Sequence, residues 1–125
     1  MENLDDKTQE ILEIAAVVHD IGIHVCEEKY GHCSGDLQEK EGPVIAQKML
    51  SELGFSDELI ERVSFLIAHH HTYNANSIDW QILLESDFLV NGLEDNLSKE
   101  ALTAGYKNIF KTESGKDLCK KMFGL

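Results

Sequence analysis

The sequence predicts an all-α fold, a compact bundle of about five to six helices, and three observations carry that expectation. Apolar residues recur at helical spacing in several segments, each preceded by a capping Ser or Asp. No segment alternates apolar and polar residues as a half-buried strand does. With 1 proline and 9 glycines in 125 residues there is no linker-like tract, so a single domain over 1–125 is expected.

The first helix runs from Lys7 to Val18, with Asp5 and Asp6 at its N-terminus, and the near-continuous apolar stretch Ile14 to Val18 reads as buried. Residues 22 to 42, with Gly22, Gly31, Gly35 and Gly42 among charged residues, read as a long irregular connection. Pro43 suits the first turn of a helix that ends at Gly54, and Ser56 caps the next, which runs into His69, His70 and His71. Ser77 or Asp79 caps a helix holding Ile82, Leu83, Leu84, Phe88 and Leu89, apolar over much of its circumference. Two further helices are expected over about Lys99 to Phe110 and Lys116 to Phe123, opened by Ser98 and Ser114.

Charge and targeting signals narrow the function. A formal net charge of -12 repels a phosphate backbone, so duplex nucleic acid is excluded as a partner; a small phosphorylated ligand is not, because a bound cation outweighs its surroundings locally. The longest apolar run is too short to cross a bilayer, and the acidic N-terminus lacks a signal peptide's basic start, so no membrane contact is expected. Three cysteines, an odd number without a secretory signal, fit a reducing cytoplasm.

The candidate chemistry lies in polar residues that interrupt apolar segments. His19 and Asp20 follow the first helix directly; Asp87 has Leu83, Leu84 and Val90 as helical neighbours. A carboxylate on such a face is costly unless paired, hydrogen-bonded or metal-bound. Each residue alone also fits an ordinary role: a salt bridge for Asp87, a cap for Asp20, a hydrogen-bonded core histidine for His19, and helix-end capping for the histidine run. Together they supply imidazole and carboxylate from three separate helices, as a metal centre inside a bundle requires. A second grouping, His24, Cys26, His32 and Cys33, offers four potential zinc ligands, but at a spacing unlike structural zinc sites, so buried or loop cysteines are expected there instead. Tyr30, Tyr73 and Trp80 receive no role.

The string His19-Asp20-Ile21-Gly22, the cluster His69 to His71, and Asp87 within Glu85-Ser86-Asp87-Phe88-Leu89-Val90 resemble the HD superfamily of metal-dependent phosphohydrolases over residues 11 to 95. The resemblance implies His19, Asp20 and Asp87 as ligands of a divalent ion (Fe, Mn, Ni or Mg), with His69, His70 or His71 as the auxiliary group and His70 the one named as a ligand. It implies His69 and His70 in phosphate contact and proton transfer, and Glu41 as a substitute oxygen ligand or base, or simply as a residue at a helix start. The implied activity is hydrolysis of a small phosphate ester or nucleotide by a metal-activated water. The family's first metal-binding histidine precedes the His-Asp pair on an earlier helix, and none lies between Met1 and Val18, so the chain reads as truncated there. That departure supports the alternative of a catalytically degenerate HD domain serving as a ligand-binding or scaffolding module. A missing helix would leave the first helix's apolar face uncovered, from which a homodimer or poor solubility is expected.

Overall fold

A computed structural model describes residues 4–125 and bears out the all-α expectation: seven helices, with no strand among the described residues. They form two compact units, Asp5–Thr72 and Tyr73–Leu125. No described helix is long and apolar enough to cross a membrane.

In the first unit α1 (Asp6–Val18) opens where the Asp5 carboxylate accepts the Thr8 N–H at 2.7 Å. Its apolar stretch is not buried throughout, as the sequence led us to expect. Ile11, Ala15 and Val18 are buried, whereas Val17 is 84% exposed. Spacings of four and three define one stripe, Leu12 and Ile14 flank it half-buried, and Ala16 and Val17 face away from it. That stripe packs against α4 (Asp57–Ala68), as does α3 (Gly35–Glu52). Leu59, Val63, Leu66 and Ile67 supply the buried side of α4. The Ser56 hydroxyl caps α4 by accepting the Leu59 N–H at 3.2 Å. Ser56→Ala should therefore lower stability by about 1 kcal/mol in a urea titration.

The stretch from 22 to 42 is a correction: it is mostly helical, holding α2 (Ile23–Tyr30) and the first half of α3. Its glycines are end signals and contact points. Gly31 ends α2 in the left-handed region (φ 75°), donating its N–H to Glu27 O at 2.9 Å. A Cβ on Gly22 would lie 2.8 Å from Gly42 N, and one on Gly42 2.7 Å from Ile67 Cγ2. These two glycines thus let the start of α2 meet the α3 backbone and seat α3 against the Ile67 side chain of α4. Pro43 is also corrected, because it stands inside α3 rather than in its first turn. The actual start is Ser34, whose hydroxyl accepts from Leu37 N, and packing of α3 on α4 offsets the roughly 3 kcal/mol an interior proline costs.

In the second unit α5 (Ile78–Glu94) is buried on several sides, as its composition suggested; Trp80, Gln81, Leu83, Leu84, Glu85, Asp87 and Leu89 are all covered. Ser98 caps α6 (Lys99–Asn108), and Thr112, rather than Ser114, caps α7 (Glu113–Phe123). Leu89, Phe110 and Cys119 form the core here, with Phe88, Tyr106 and Phe123 packed around them. Against that core Glu85 is a buried carboxylate that accepts four hydrogen bonds: from Gln81 Nε2 (2.6 Å), Lys111 N (3.0 Å), Thr112 N (3.1 Å) and Thr112 Oγ1 (2.5 Å). It joins α5 to the turn that starts α7. Nearby, Glu85 and the low polarity of the core both hold the Cys119 thiol above its usual pKa, burial contributing most.

Candidate metal centre

The centre begins with two imidazoles oriented in the same way. Where α1 ends, His19 Nδ1 donates to the carbonyl of Ala16, three residues back, at 2.8 Å. Where α4 ends, His70 Nδ1 donates to the carbonyl of Ile67, also three residues back, at 2.6 Å. Helix ends leave carbonyls without intrahelical partners, and a histidine placed there can use its Nδ1 proton on one of them. The consequence is chemical: with Nδ1 held on a carbonyl, Nε2 is the nitrogen each ring turns toward the rest of the site, with a lone pair when the ring is neutral and a proton when it is charged.

Both Nε2 atoms face one carboxylate. His19 Nε2 lies 3.3 Å from Asp20 Oδ2, and His70 Nε2 lies 3.7 Å from Asp20 Oδ1. The rings meet edge to face, centroids 5.4 Å apart. A neutral imidazole lone pair and a carboxylate repel each other, so this arrangement calls for a shared cation, either a proton on the ring or a metal ion. The hydrogen bond from His19, with the nearby rings of His70 and His71, holds the Asp20 carboxyl below the usual carboxylate pKa against the opposing effect of its partial burial. His70 has no exposed surface, while Asp20 stays about half exposed, so the group opens to solvent on the carboxylate side.

Two residues of α3 that sequence reasoning passed over hold the histidine turn. Gln38 Oε1 accepts from both rings, 3.0 Å from His70 Nε2 and 2.8 Å from His71 Nε2. The Glu39 carboxylate accepts the His71 N–H at 3.0 Å and the Thr72 hydroxyl at 2.8 Å. Gly35 makes room for His71, since a Cβ there would meet its Cγ at 2.9 Å. Reading 22–42 as a loop hid these residues; their only signal was a Gln-Glu pair after a good cap, Ser34.

The other expected residues are placed as follows. His69 packs its ring against Phe65, centroids 4.5 Å apart. Glu41 lies in mid-α3, where it accepts from Tyr30 Oη at 2.8 Å and pairs with Lys29 Nζ at 3.2 Å; the Tyr30 hydrogen bond first, and then Lys29, hold its carboxyl below the usual range. It is not at a helix start, which removes the dipole role. Asp87 is buried on α5 in the second unit. His24 pairs with Glu28 at 3.0 Å and His32 Nδ1 meets Tyr30 O at 3.1 Å; among the described residues no three of His24, Cys26, His32 and Cys33 bring their ligand atoms together. The zinc alternative therefore has no centre here.

No protein-family model, curated protein or solved structure matches this chain.

Proposed function

We infer that the chain is a metal-dependent phosphohydrolase of the HD type, acting on a small phosphate ester or nucleotide. The observation that carries this reading is the shared aim of His19 Nε2 and His70 Nε2 at the Asp20 carboxylate, each ring fixed by its Nδ1 proton on a backbone carbonyl. Fixing one ring nitrogen by a hydrogen bond is the usual support for a metal-binding histidine, and a mixed imidazole-carboxylate set suits a catalytic divalent ion. His19 and Asp20 are proposed as ligands. Asp87 joins them on the sequence resemblance, and His70 is the auxiliary ligand.

A divalent ion supplies positive charge against a phosphate oxygen and lowers the pKa of water toward neutrality. The chain's own groups do the remainder. His70, fully buried, suits a ligand role better than a substrate contact. His71 is only half-buried and is held by Gln38, so it is the imidazole to meet a phosphate or pass a proton to a leaving oxygen. Glu39 keeps that turn in place through the His71 backbone. Glu41, engaged by Tyr30 and Lys29, serves to fasten α2 to α3.

The test is the metal content of protein purified without a polyhistidine tag or added chelator, for wild type, Asp20→Ala and Asp87→Ala. Near-stoichiometric metal in wild type and its loss in both variants is the expected result, followed by hydrolysis of phosphomonoesters or nucleotides by the loaded protein. A folded wild type that binds no added divalent ion would overturn the reading and favour the non-catalytic module.

A further inference from the structure

Positive charge is gathered at one place in an acidic chain. Six of the 11 basic residues lie between Lys99 and Lys121, although the formal net charge is -12. The three lysines of α7 are engaged: Lys116 with Glu113 at 4.0 Å, Lys121 with Asp117 at 2.8 Å, and Lys120 over the Tyr106 ring at 5.5 Å. Lys99 and Lys107 on α6, and Lys111 just after it, are exposed, and no carboxylate of the described residues pairs with them. Lys99 and Lys107 border a shallow hollow of about 500 Å³ on the outer side of α6, with the short side chains of Thr103 and Ala104 between them. Eight residues of helix set the two lysines about 12 Å apart along the axis, too far for one small anion to meet both. The hollow therefore suits an extended partner that carries carboxylates at matching intervals.

The chain has such a surface of its own. On α1, Asp6, Glu10 and Glu13 recur at spacings of four and three, so they form one exposed stripe, turned away from the buried Ile11, Ala15 and Val18. No cation of the described residues pairs with them; Glu13 accepts a hydrogen bond from Gln9 Nε2 at 3.0 Å. Asp6 and Glu13 are about 10 Å apart along the helix axis, a difference from the lysine spacing that a flexible lysine side chain takes up. One turn further on, Val17 continues the stripe at 84% exposure and gives it an apolar end. We propose that α6 of one copy of the chain receives the α1 stripe of a second copy, Lys99 and Lys107 pairing with its carboxylates.

Salt decides how strongly two such copies associate. Taken whole, two chains of the same net charge repel each other at long range, whereas the two surfaces attract on contact. At about 0.1 M salt the Debye length is about 10 Å, which screens the first effect more than the second. At about 1 M it is about 3 Å, and the contact pairs between exposed groups are screened as well. Exposed ion pairs contribute little singly, so the association is weak and belongs to concentrated protein. An association driven by apolar surface would instead hold or strengthen at high salt.

The experiment is sedimentation equilibrium of the full chain at protein concentrations up to about 1 mM, without metal, at about 0.1 M and about 1 M salt. The weight-average mass of wild type should rise above the monomer value at the lower salt and return to it at the higher. Lys99→Glu with Lys107→Glu, and separately Glu10→Lys with Glu13→Lys, should each weaken association at least tenfold while the circular dichroism of the helices stays unchanged. Lys99→Gln with Lys107→Gln, a milder change, should weaken it in the same direction. An equal mixture of the two charge-reversed proteins should associate again, since each supplies the charge that the other's two surfaces now need. Both reversed proteins remain net negative, so their overall charges do not account for that recovery. A wild type that stays monomeric at about 0.1 M salt would overturn the proposal. So would association that survives at about 1 M salt or in either reversed protein, which would place the second copy on an apolar face such as that of Leu118 and Met122. Loss in both reversed proteins without recovery on mixing would overturn the pairing of α1 with α6. No readout requires a metal or an activity, so the result stands apart from the test of the proposed function.

Discussion

Glu85→Ala is expected to lower the unfolding free energy by about 3–5 kcal/mol, enough to unfold a large share of a domain of ordinary stability. The side chain is 2% exposed and accepts four hydrogen bonds, two from backbone N–H groups at the start of α7 and one from the Thr112 hydroxyl that caps it. A hydrogen bond to a charged group contributes roughly 1.5–3 kcal/mol, and truncation leaves several buried donors without an acceptor, each at a further cost. Because the bonds share one carboxylate, their losses do not simply add. Glu85→Gln keeps the shape and one oxygen, so it should cost about 1–2 kcal/mol. Urea denaturation followed by circular dichroism separates the two variants; a loss below about 1 kcal/mol for Glu85→Ala would mean that water replaces the carboxylate and that α7 does not depend on it. Gly115 gives an independent check on the same contact. A Cβ there would lie 1.9 Å from Glu85 Oε1, so Gly115→Ala should destabilise although it introduces only one methyl group.

This carboxylate also shows where a sequence stops being informative. Glu85 and Asp87 stand two positions apart on α5, both buried, and at the level of the sequence both are acids on an apolar helix. Only the resemblance distinguished them, and it attended to Asp87. Apart from Gln81 one turn back, the partners of Glu85 lie 26 and 27 residues away in a turn, a relation that periodicity does not encode. The helices with strong stripes and side-chain caps, α1, α4 and α6, could be read nearly to the residue, because capping and spacing are local. The segment 22–42 could not, since Gly22, Gly35 and Gly42 are places of close packing inside or beside helices and Gly31 ends one, and the same residues in isolation signal a loop. Glycine's two uses look alike in one dimension.

The candidate site divides along the same line. His19, Asp20 and a histidine from the 69–71 run could be picked out as polar residues at the ends of apolar helices, but choosing among three consecutive histidines needs the geometry of the turn. There His69 goes to Phe65 while His70 takes the carbonyl of Ile67. Gln38 and Glu39 went unnoticed because a residue that orients a ligand has no chemistry of its own to advertise.

The second large effect expected is on cation affinity and its pH dependence. Both imidazole Nε2 atoms face Asp20, so Asp20→Ala should weaken divalent-ion binding by about a hundredfold or more, beyond the 10–100-fold typical of a residue that merely orients a ligand. Gln38→Ala, which leaves every proposed ligand in place, should fall within that smaller range. The pH dependence follows from which groups must lose a proton. The Asp20 carboxyl is held below the ordinary carboxylate range, chiefly by the His19 hydrogen bond, so it stays ionised well into acid. Its stabilising interaction is therefore present above the ordinary carboxylate pKa and is lost only as the pH falls through the lowered one. Imidazole, by contrast, must be neutral to bind a metal, so protons compete with the ion for Nε2. Binding measured by calorimetry should thus weaken as the pH drops from about 7.5 to about 5.5, with protons released on association, while Asp20 remains ionised throughout. Affinity that held constant across that interval and fell only in the carboxylate range would mean that the cation sits on acidic oxygens alone, and that the common aim of His19 and His70 serves a shared proton instead.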